Sequence, residues 1–429
     1  MVDLPGPEQR PSAYVTGAEA AELLGVKRET LYAYASRGVL RGVPGGRGRA
    51  RLYLRADIER LKARHDARAG HGPVAAEALR WGEPVLESAL TAIGQRGPLY
   101  RGKEAVALAL EDAPFEDVAE LLWTGELPAE GAPAARPGRL SVRPAKLAAL
   151  LPEGAPPFTA LALAVPAIGA HDATRHVGAT SGDGRIPTSD AERARARALV
   201  RSLAALVGLG RDASKATAAL EAEGTARRLL VALGANPSKK AERAVNRALL
   251  VSADHELNAS TFAVRVAAST GADLYACVSA GLAALSGPRH GGSTDRVEAL
   301  VAEAGRPERA AAAVHERLRR GEPIAGFGHR LYPDGDPRAQ VLLDTARALA
   351  PQSAALRTVL ALVDALRDAG HDPPSLDVGL VAIAAALGLP AGAAAALFAV
   401  GRAAGWIAHA FEQREAGYML RPRARYTGP

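Results

Sequence analysis

The sequence predicts an all-α protein, and three observations carry that expectation. Alanine is abundant while aromatic residues make up only 4% of the chain, a composition suited to helices that meet closely through small side chains. Apolar residues recur at helical spacing in stretches such as Phe115–Trp123 and Glu256–Thr270. Little in the chain suggests sheet. At 429 residues, 48% apolar and 23% charged, it has the composition of a globular protein with material for two or three domains.

In chain order, residues 1–11 read as a tail and 12–64 as a small domain. "VTGAEAAELLGVKRETLYAYASRGVL" gives a helix, a tight turn and a second helix. Ala18, Ala21, Leu23 and Leu24 form one apolar face, Gly25 makes the turn, Leu31 and Tyr32 carry the second face, and Gly38 stops it. The basic loop "PGGRGRA" then leads into "RLYLRADIERLKAR", a short strand and a helix capped by Asp57. The stretch resembles the winged helix-turn-helix of the MerR and excisionase type, including the Arg51, Tyr53, Asp57, Ile58 and Leu61 ending. Residues 1–68 hold 13 lysines and arginines against 8 acids, whereas the other 361 residues hold 40 against 38. Duplex DNA is therefore a possible partner of this domain, through Lys27, Arg28 and Thr30 at the second helix and Arg47 and Arg49 in the wing, chiefly as phosphate contacts. The rival reading is a packing or dimerisation unit with solvated arginines.

Residues 65–76, "HDARAGHGPVAA", have the composition of a linker, and 77–429 read as one long helical body. Within it, the charged stretch Thr188–Asn246 offers little beyond solvent-facing helices. The uncharged run Val378–Gly401 is interrupted by Gly388, Pro390 and Gly392, which predicts two buried helices, each too short to span a bilayer. A single cysteine, Cys277, excludes an intrachain disulfide or a Cys-x-x-Cys metal site. With no signal-peptide pattern at the N-terminus, the expected location is the cytoplasm, without a membrane partner.

Two loops carry candidate chemistry. "SGPRHGG" sets His290 in the break between two helices, with Ser293 or Thr294 as the expected cap of the second. An imidazole near a helix N-terminus tends to stay neutral and can donate a hydrogen bond to an oxygen gaining negative charge, as in an enolate. "GFGHRLYPDGDPR" places His329 between flexible glycines and Arg338. It lacks the third glycine of a dinucleotide fingerprint.

From about Glu77 onward the chain resembles citrate synthase. The resemblance runs in order through "LYRG", "FEDVAELLWTGELP", "ADHELNAST", "GLAALSGPRHGG", "GFGHRLYPDGDPRA", "LDVGL", "GRAAGWIAHAFEQ" and "RPRARYTG". It implies the citrate synthase fold, a homodimer of helical subunits with a large domain and a small one at about 290–384, and a site in the cleft between them. By motif match, Asp377 takes a proton from the methyl group of acetyl-CoA, His290 donates to the thioester oxygen, and His329 donates to the ketone of oxaloacetate. Arg338, Arg402 and His255 bind oxaloacetate, Arg421 reaches in from the partner subunit, and Arg330 meets CoA phosphates. Acetyl-CoA is a substrate, so no cofactor is implied.

Three positions depart from the family pattern. Ser252 stands where the family often has histidine, Ser375 where asparagine is common, and Arg289 where leucine is frequent. Three other readings compete with citrate synthase. A 2-methylcitrate synthase would use propionyl-CoA, and one methylene is worth only about 1–3 kcal/mol in a pocket. A DNA-binding regulator would keep the body as a metabolite sensor, but such a sensor has no need of the proton-transfer set. A metal site at the histidines lacks any His-Glu-x-x-His or similar spacing.

Overall fold

The computed structural model describes residues 14–24, 26–36, 40, 42–44, 51–54, 58, 86–133, 140, 142–176, 184–422, 426 and 428. These fall into two compact units, one within 1–87 and 423–429 and the other within 88–422.

The first unit begins with strand β1 (Tyr14–Thr16) and helix α1 (Gly17–Leu24), followed by α2 (Arg28–Ser36), β2 (Gly42–Pro44) and β3 (Arg51–Leu54). The strands form an antiparallel sheet in the order β1-β3-β2, with Val15 opposite Tyr53 and Val43 opposite Leu52. Helix α1 starts on a reciprocal cap. The Thr16 backbone N–H donates to Glu19 Oε2 at 2.8 Å, and the Glu19 N–H donates to Thr16 Oγ1 at 3.3 Å. Val15, Ala20, Ala21, Leu24, Leu31, Tyr53 and Ile58 make a small core. Two expectations are corrected here. Ala18 is exposed, and Tyr32 is 57% exposed, so the inward face of each helix is narrower than composition suggested. Gly25, Gly38, the wing at 45–50, Asp57, Leu61 and the linker at 65–76 lie outside the described residues.

The second unit opens with a sheet that the sequence reading missed. Strands β4 (Thr91–Gly94), β5 (Gly97–Tyr100) and β6 (Lys103–Glu104) pair antiparallel in that order. The two-residue turn at Gln95 and Arg96 closes on Gly97, whose φ of 107° an L side chain would resist. "LYRG" is thus the end of a strand and a turn rather than part of a helix.

Helices then follow almost without interruption: α3 (Ala105–Leu110), α4 (Phe115–Thr124), α5 (Pro144–Ala148), α6 (Pro157–Ala170), α7 (Asp190–Leu206), α8 (Ala213–Glu221), α9 (Thr225–Leu233) and α10 (Lys239–Ser252). Next come α11 (Ala259–Ser269), α12 (Leu274–Leu285), α13 (Ser293–Ala304), α14 (Ala310–Arg319), α15 (Pro337–Leu349), α16 (Ala354–Asp368), α17 (Leu376–Leu387) and α18 (Ala393–Ala416).

Helix α18 is the axis of the main core, and every residue from Ala393 to Phe411 in it is buried. It packs against α10, α11, α12 and α17. A Cβ on Gly401 would lie 2.7 Å from the Leu249 carbonyl oxygen, and one on Gly405 would overlap the Ala253 carbonyl. The glycines therefore let α18 touch the backbone at the end of α10. A smaller core of Leu300, Ala304, Ala310, Val314, Leu362 and Leu366 joins α13, α14 and α16.

The apolar run near the C-terminus is two helices separated by left-handed Gly388 and Gly392. The second helix is longer than expected: it is long and apolar enough to cross a membrane, yet its apolar window is wholly buried inside the protein. The charged stretch after Thr188 also differs from expectation. Helix α7 buries Glu192 and Arg195, which pair with each other, and Arg414 of α18 reaches Glu192 at 2.8 Å.

Candidate active site

His290 lies in the turn between α12 and α13, as its Ser-Gly-Pro and Gly-Gly neighbours predict. Close packing explains the glycines there, since a Cβ on Gly291 would come within 2.6 Å of Leu285. Neither Ser293 nor Thr294 caps α13. Gly292 occupies the cap position, and the Thr294 hydroxyl donates to the Gly291 carbonyl at 2.8 Å.

The His290 Nε2 is 2.8 Å from Ser260 Oγ, which also accepts from Trp406 Nε1–H at 3.1 Å and lies 2.7 Å from Asn258 Oδ1. One hydroxyl proton thus has two acceptors in reach. When it points at His290, the ring's own proton is on Nδ1. Burial first, then the Arg402 charge, lowers the His290 pKa to about 4. The ring is neutral as expected, but desolvation rather than the helix dipole is the main cause.

His329 sits in the second loop, between α14 and α15. Gly326 and Gly328 have φ of 85° and 80°, and a Cβ on Gly326 would overlap Val297. The Leu331 backbone N–H donates to His329 Nδ1 at 3.2 Å, so in the neutral ring Nε2 carries the proton. Burial and Arg338 depress its pKa, with Asp336 opposing them. Its ring meets that of His255 edge-on at 5.2 Å. His255 follows α10, is held at Nε2 by the Tyr332 hydroxyl at 3.0 Å, and is kept neutral by burial and then by Arg338 and Arg402.

Arg338 and Arg402 are 3% and 1% exposed. Arg338, near the start of α15, makes a bidentate pair with Asp336 at 2.9 and 2.8 Å and lies over the Tyr332 ring. Arg402 projects from α18, donates through Nε to the Ser252 carbonyl at 2.8 Å and lies over Phe398, whose ring in turn faces His290. Burial lowers the Arg402 pKa to about 10, against the pull of Asp254. Two buried guanidiniums, one of them paired with Asp336, thus stand beside three neutral imidazoles, and the planar forks of the guanidiniums suit carboxylates.

Asp377 stands in the first turn of α17. The residue as a whole is only half-buried, yet its Oδ1 is sealed from solvent and has no hydrogen-bond partner. Ser375 Oγ donates to Oδ2 at 3.0 Å. Burial pushes the carboxyl up to about 6, with Ser375 and Arg338 holding it back. Arg338 and Arg402 both act on this carboxyl electrostatically, and Asp336 ties its helix to α15 by accepting the Leu376 N–H at 3.0 Å.

His255, His290, His329, Arg338, Arg402 and Asp377 are therefore gathered in one cluster. Arg330 is exposed beside His329, and Arg421 is exposed on the tail beyond α18, outside the cluster. Lys27 is exposed and Thr30 half-buried. Arg28 lies in α2 with its side chain undescribed, and Arg47 and Arg49 fall outside the described residues. Among the described residues, no group of three His, Cys, Asp or Glu side chains is arranged to hold a metal ion. Sequence reasoning missed Ser260, Tyr332, Asp336 and Phe398. Asp336 alone had a signal, since an acid before Pro-Arg is a helix cap, and its side chain does accept the Arg338 N–H.

Residues 78–423 match the family model described as citrate synthase, C-terminal domain. The chain belongs to the citrate synthase family. Residues 14–66 match a helix-turn-helix domain. Among citrate synthase relatives, the chain is 33% identical over 331 residues to citrate synthase 2 of Bacillus subtilis, covering 74% of this chain and 87% of that one. It is 32% identical over 364 residues to citrate synthase of Haloferax volcanii, with coverage of 80% and 93%. A 2-methylcitrate synthase 2 of Corynebacterium glutamicum is 31% identical over 350 residues, with coverage of 77% and 88%. The citrate synthase of Thermoplasma acidophilum, solved with carboxymethyl coenzyme A and oxaloacetate, superposes with a TM-score of 0.70 at 25% identity, covering 82% of this chain and 96% of that one.

Proposed function

We propose that the chain condenses acetyl-CoA with oxaloacetate to citrate and CoA, and that Asp377, His290 and His329 perform the proton transfers. The observation that carries this reading is the Asp377 carboxyl, raised to about 6 with one oxygen unpartnered, in a cluster with neutral imidazoles and buried guanidiniums. A thioester methyl proton is weakly acidic. A carboxylate removes it usefully only if the thioester oxygen is stabilised in the same step and water is excluded.

Asp377 takes the proton and His290 donates to the thioester oxygen. The resulting carbon nucleophile then attacks the oxaloacetate ketone while His329 donates Nε2–H to the developing alkoxide. Water cleaves the citryl thioester and releases the CoA thiol. Arg338, Arg402 and His255 bind the oxaloacetate carboxylates and ketone, Arg421 is supplied by the partner subunit of a homodimer, and Arg330 meets the CoA phosphates. No cofactor is required, and the location is cytoplasmic.

Thiol release from acetyl-CoA should depend on oxaloacetate and exceed that from propionyl-CoA. Asp377→Ala should lower kcat by about 100- to 10,000-fold with oxaloacetate binding retained. Because the base must be ionised, the wild-type rate should fall as pH drops through about 6. An Asp377→Ala enzyme of normal rate would refute the assignment, and a preference for propionyl-CoA would favour the 2-methylcitrate reading.

The front domain, of the MerR type, contributes a duplex-DNA contact through Lys27, Arg28, Thr30, Arg47 and Arg49. Its net positive charge, concentrated in residues 1–68, supports this role. Binding of the full chain to duplex DNA should weaken steeply between 50 and 200 mM salt. Absence of binding at low salt would leave the domain a packing unit.

A further inference from the structure

We infer that Ser375 is a positioning residue for the base: its hydroxyl occupies Oδ2 of Asp377, so that Oδ1 is the oxygen presented to the substrate methyl group. The inference rests on the assignment of Asp377 as base. Serine at a helix N-cap ordinarily accepts a hydrogen bond from the backbone two or three residues on. Ser375 does occupy the cap of α17, but its side chain caps nothing. Asp336, from a different segment, takes the N–H of the first helical residue, Leu376. The Ser375 hydroxyl, which caps no backbone N–H, donates to Asp377 at 3.0 Å.

The backbone around Ser375 is also fixed to the His329 loop. Ser375 N–H donates to the Gly326 carbonyl at 2.8 Å, Gly328 N–H donates to the Pro373 carbonyl at 2.8 Å, and Phe327 pairs antiparallel with Pro374. One short strap thus sets the base and the His329 loop together. A displaced Ser375 would disturb both.

The charged groups facing Asp377 are Arg338 and Asp336 from α15 and its cap, and Arg402 from α18. Asp336 holds Arg338 in a bidentate pair, and Arg402 is directed to a backbone carbonyl. Ser375 therefore supplies the side-chain hydrogen bond that favours the ionised carboxyl, and after burial it is the largest influence on Asp377.

The test is the pH dependence of oxaloacetate-dependent thiol release from acetyl-CoA in wild type, Ser375→Ala and Ser375→Thr. Ser375→Ala should move the acid limb of kcat/KM upward by about one pH unit and lower the plateau kcat several-fold, with KM for oxaloacetate unchanged. Ser375→Thr retains the hydroxyl and should restore both. An unmoved acid limb in Ser375→Ala, or a Thr variant as impaired as the Ala variant, overturns the inference while wild-type activity upholds the enzyme. If the wild type itself releases no thiol, the assignment of Asp377 falls first and this inference with it.

Discussion

Two buried arginines on the same helix, Arg414 and Arg402, are partnered by opposite rules. Near the C-terminal end of α18, Arg414 meets Glu192, Glu192 meets Arg195, and Arg195 meets Asp172 at 2.9 Å, with the Tyr275 hydroxyl on Asp172 at 2.9 Å. Each carboxylate there has a guanidinium. Twelve residues earlier on that helix the arrangement is reversed: Arg402 has no carboxylate ion pair among the described residues, and Asp377 Oδ1 has no partner. Charges matched within the fold lock helices together. Charges left short of partners hold their capacity for something that arrives from outside, at a cost to stability.

The largest separation should come from exchanging one charge in each cluster. Arg402→Met keeps the volume and removes a buried, underpaired cation. It should weaken oxaloacetate binding by about 100-fold or more, read by calorimetry, while leaving thermal stability unchanged or raised. Glu192→Gln should do the converse. Leaving Arg195 and Arg414 buried without their shared anion should cost about 3 kcal/mol in unfolding free energy, with KM for oxaloacetate unaltered. If both variants lose stability equally and bind normally, the division between the clusters is unsound.

A smaller effect sharpens the same contrast through pH. Burial opposes ionisation of Asp172, but Thr174 and Arg195 pull it down to about 2. Its stabilising contribution is therefore complete above its unfolded value near 3.8 and fades only as pH falls toward 2. Asp377, raised to about 6, behaves oppositely: its contribution is present below 3.8 and lost as pH rises through 6. Relative to wild type, Asp377→Asn should gain on the order of 1–2 kcal/mol between pH 5 and 8. Asp172→Asn should show the same deficit at both pH values. Melting temperatures of the three proteins at pH 5 and 8 decide this, and a pH-independent Asp377→Asn difference would remove the claim.

Much of the candidate site was legible because its residues sit in helix breaks that the sequence announces. Gly-Pro and Gly-Gly around His290, and Gly-x-Gly before His329, could belong only to tight backbone, and motif order supplied Asp377 and the arginines. Ser260 and Tyr332 were not legible. Their importance comes from neighbours far along the chain, Ser260 from His290 and Trp406 and Tyr332 from His255 and Arg338, and no local periodicity encodes such meetings. The sheet at Thr91–Glu104 escaped because strands of two to four residues are too short to show alternation. Glu192 and Arg195 were read as solvated because charge on a helix usually is; Glu192's partner Arg414 lies 222 positions away in the sequence, and Arg195 reaches back to Asp172.

Because Phe398, Arg402, Trp406, His409 and Arg414 all issue from α18, that rod serves as a common spindle for the cleft and the anchor. Deleting or inserting one residue between Arg402 and Arg414 would twist one end against the other by about 100°, the turn of a single helical step. Exchange of side chains leaves the two ends in phase, whereas a change of length by one residue throws them apart.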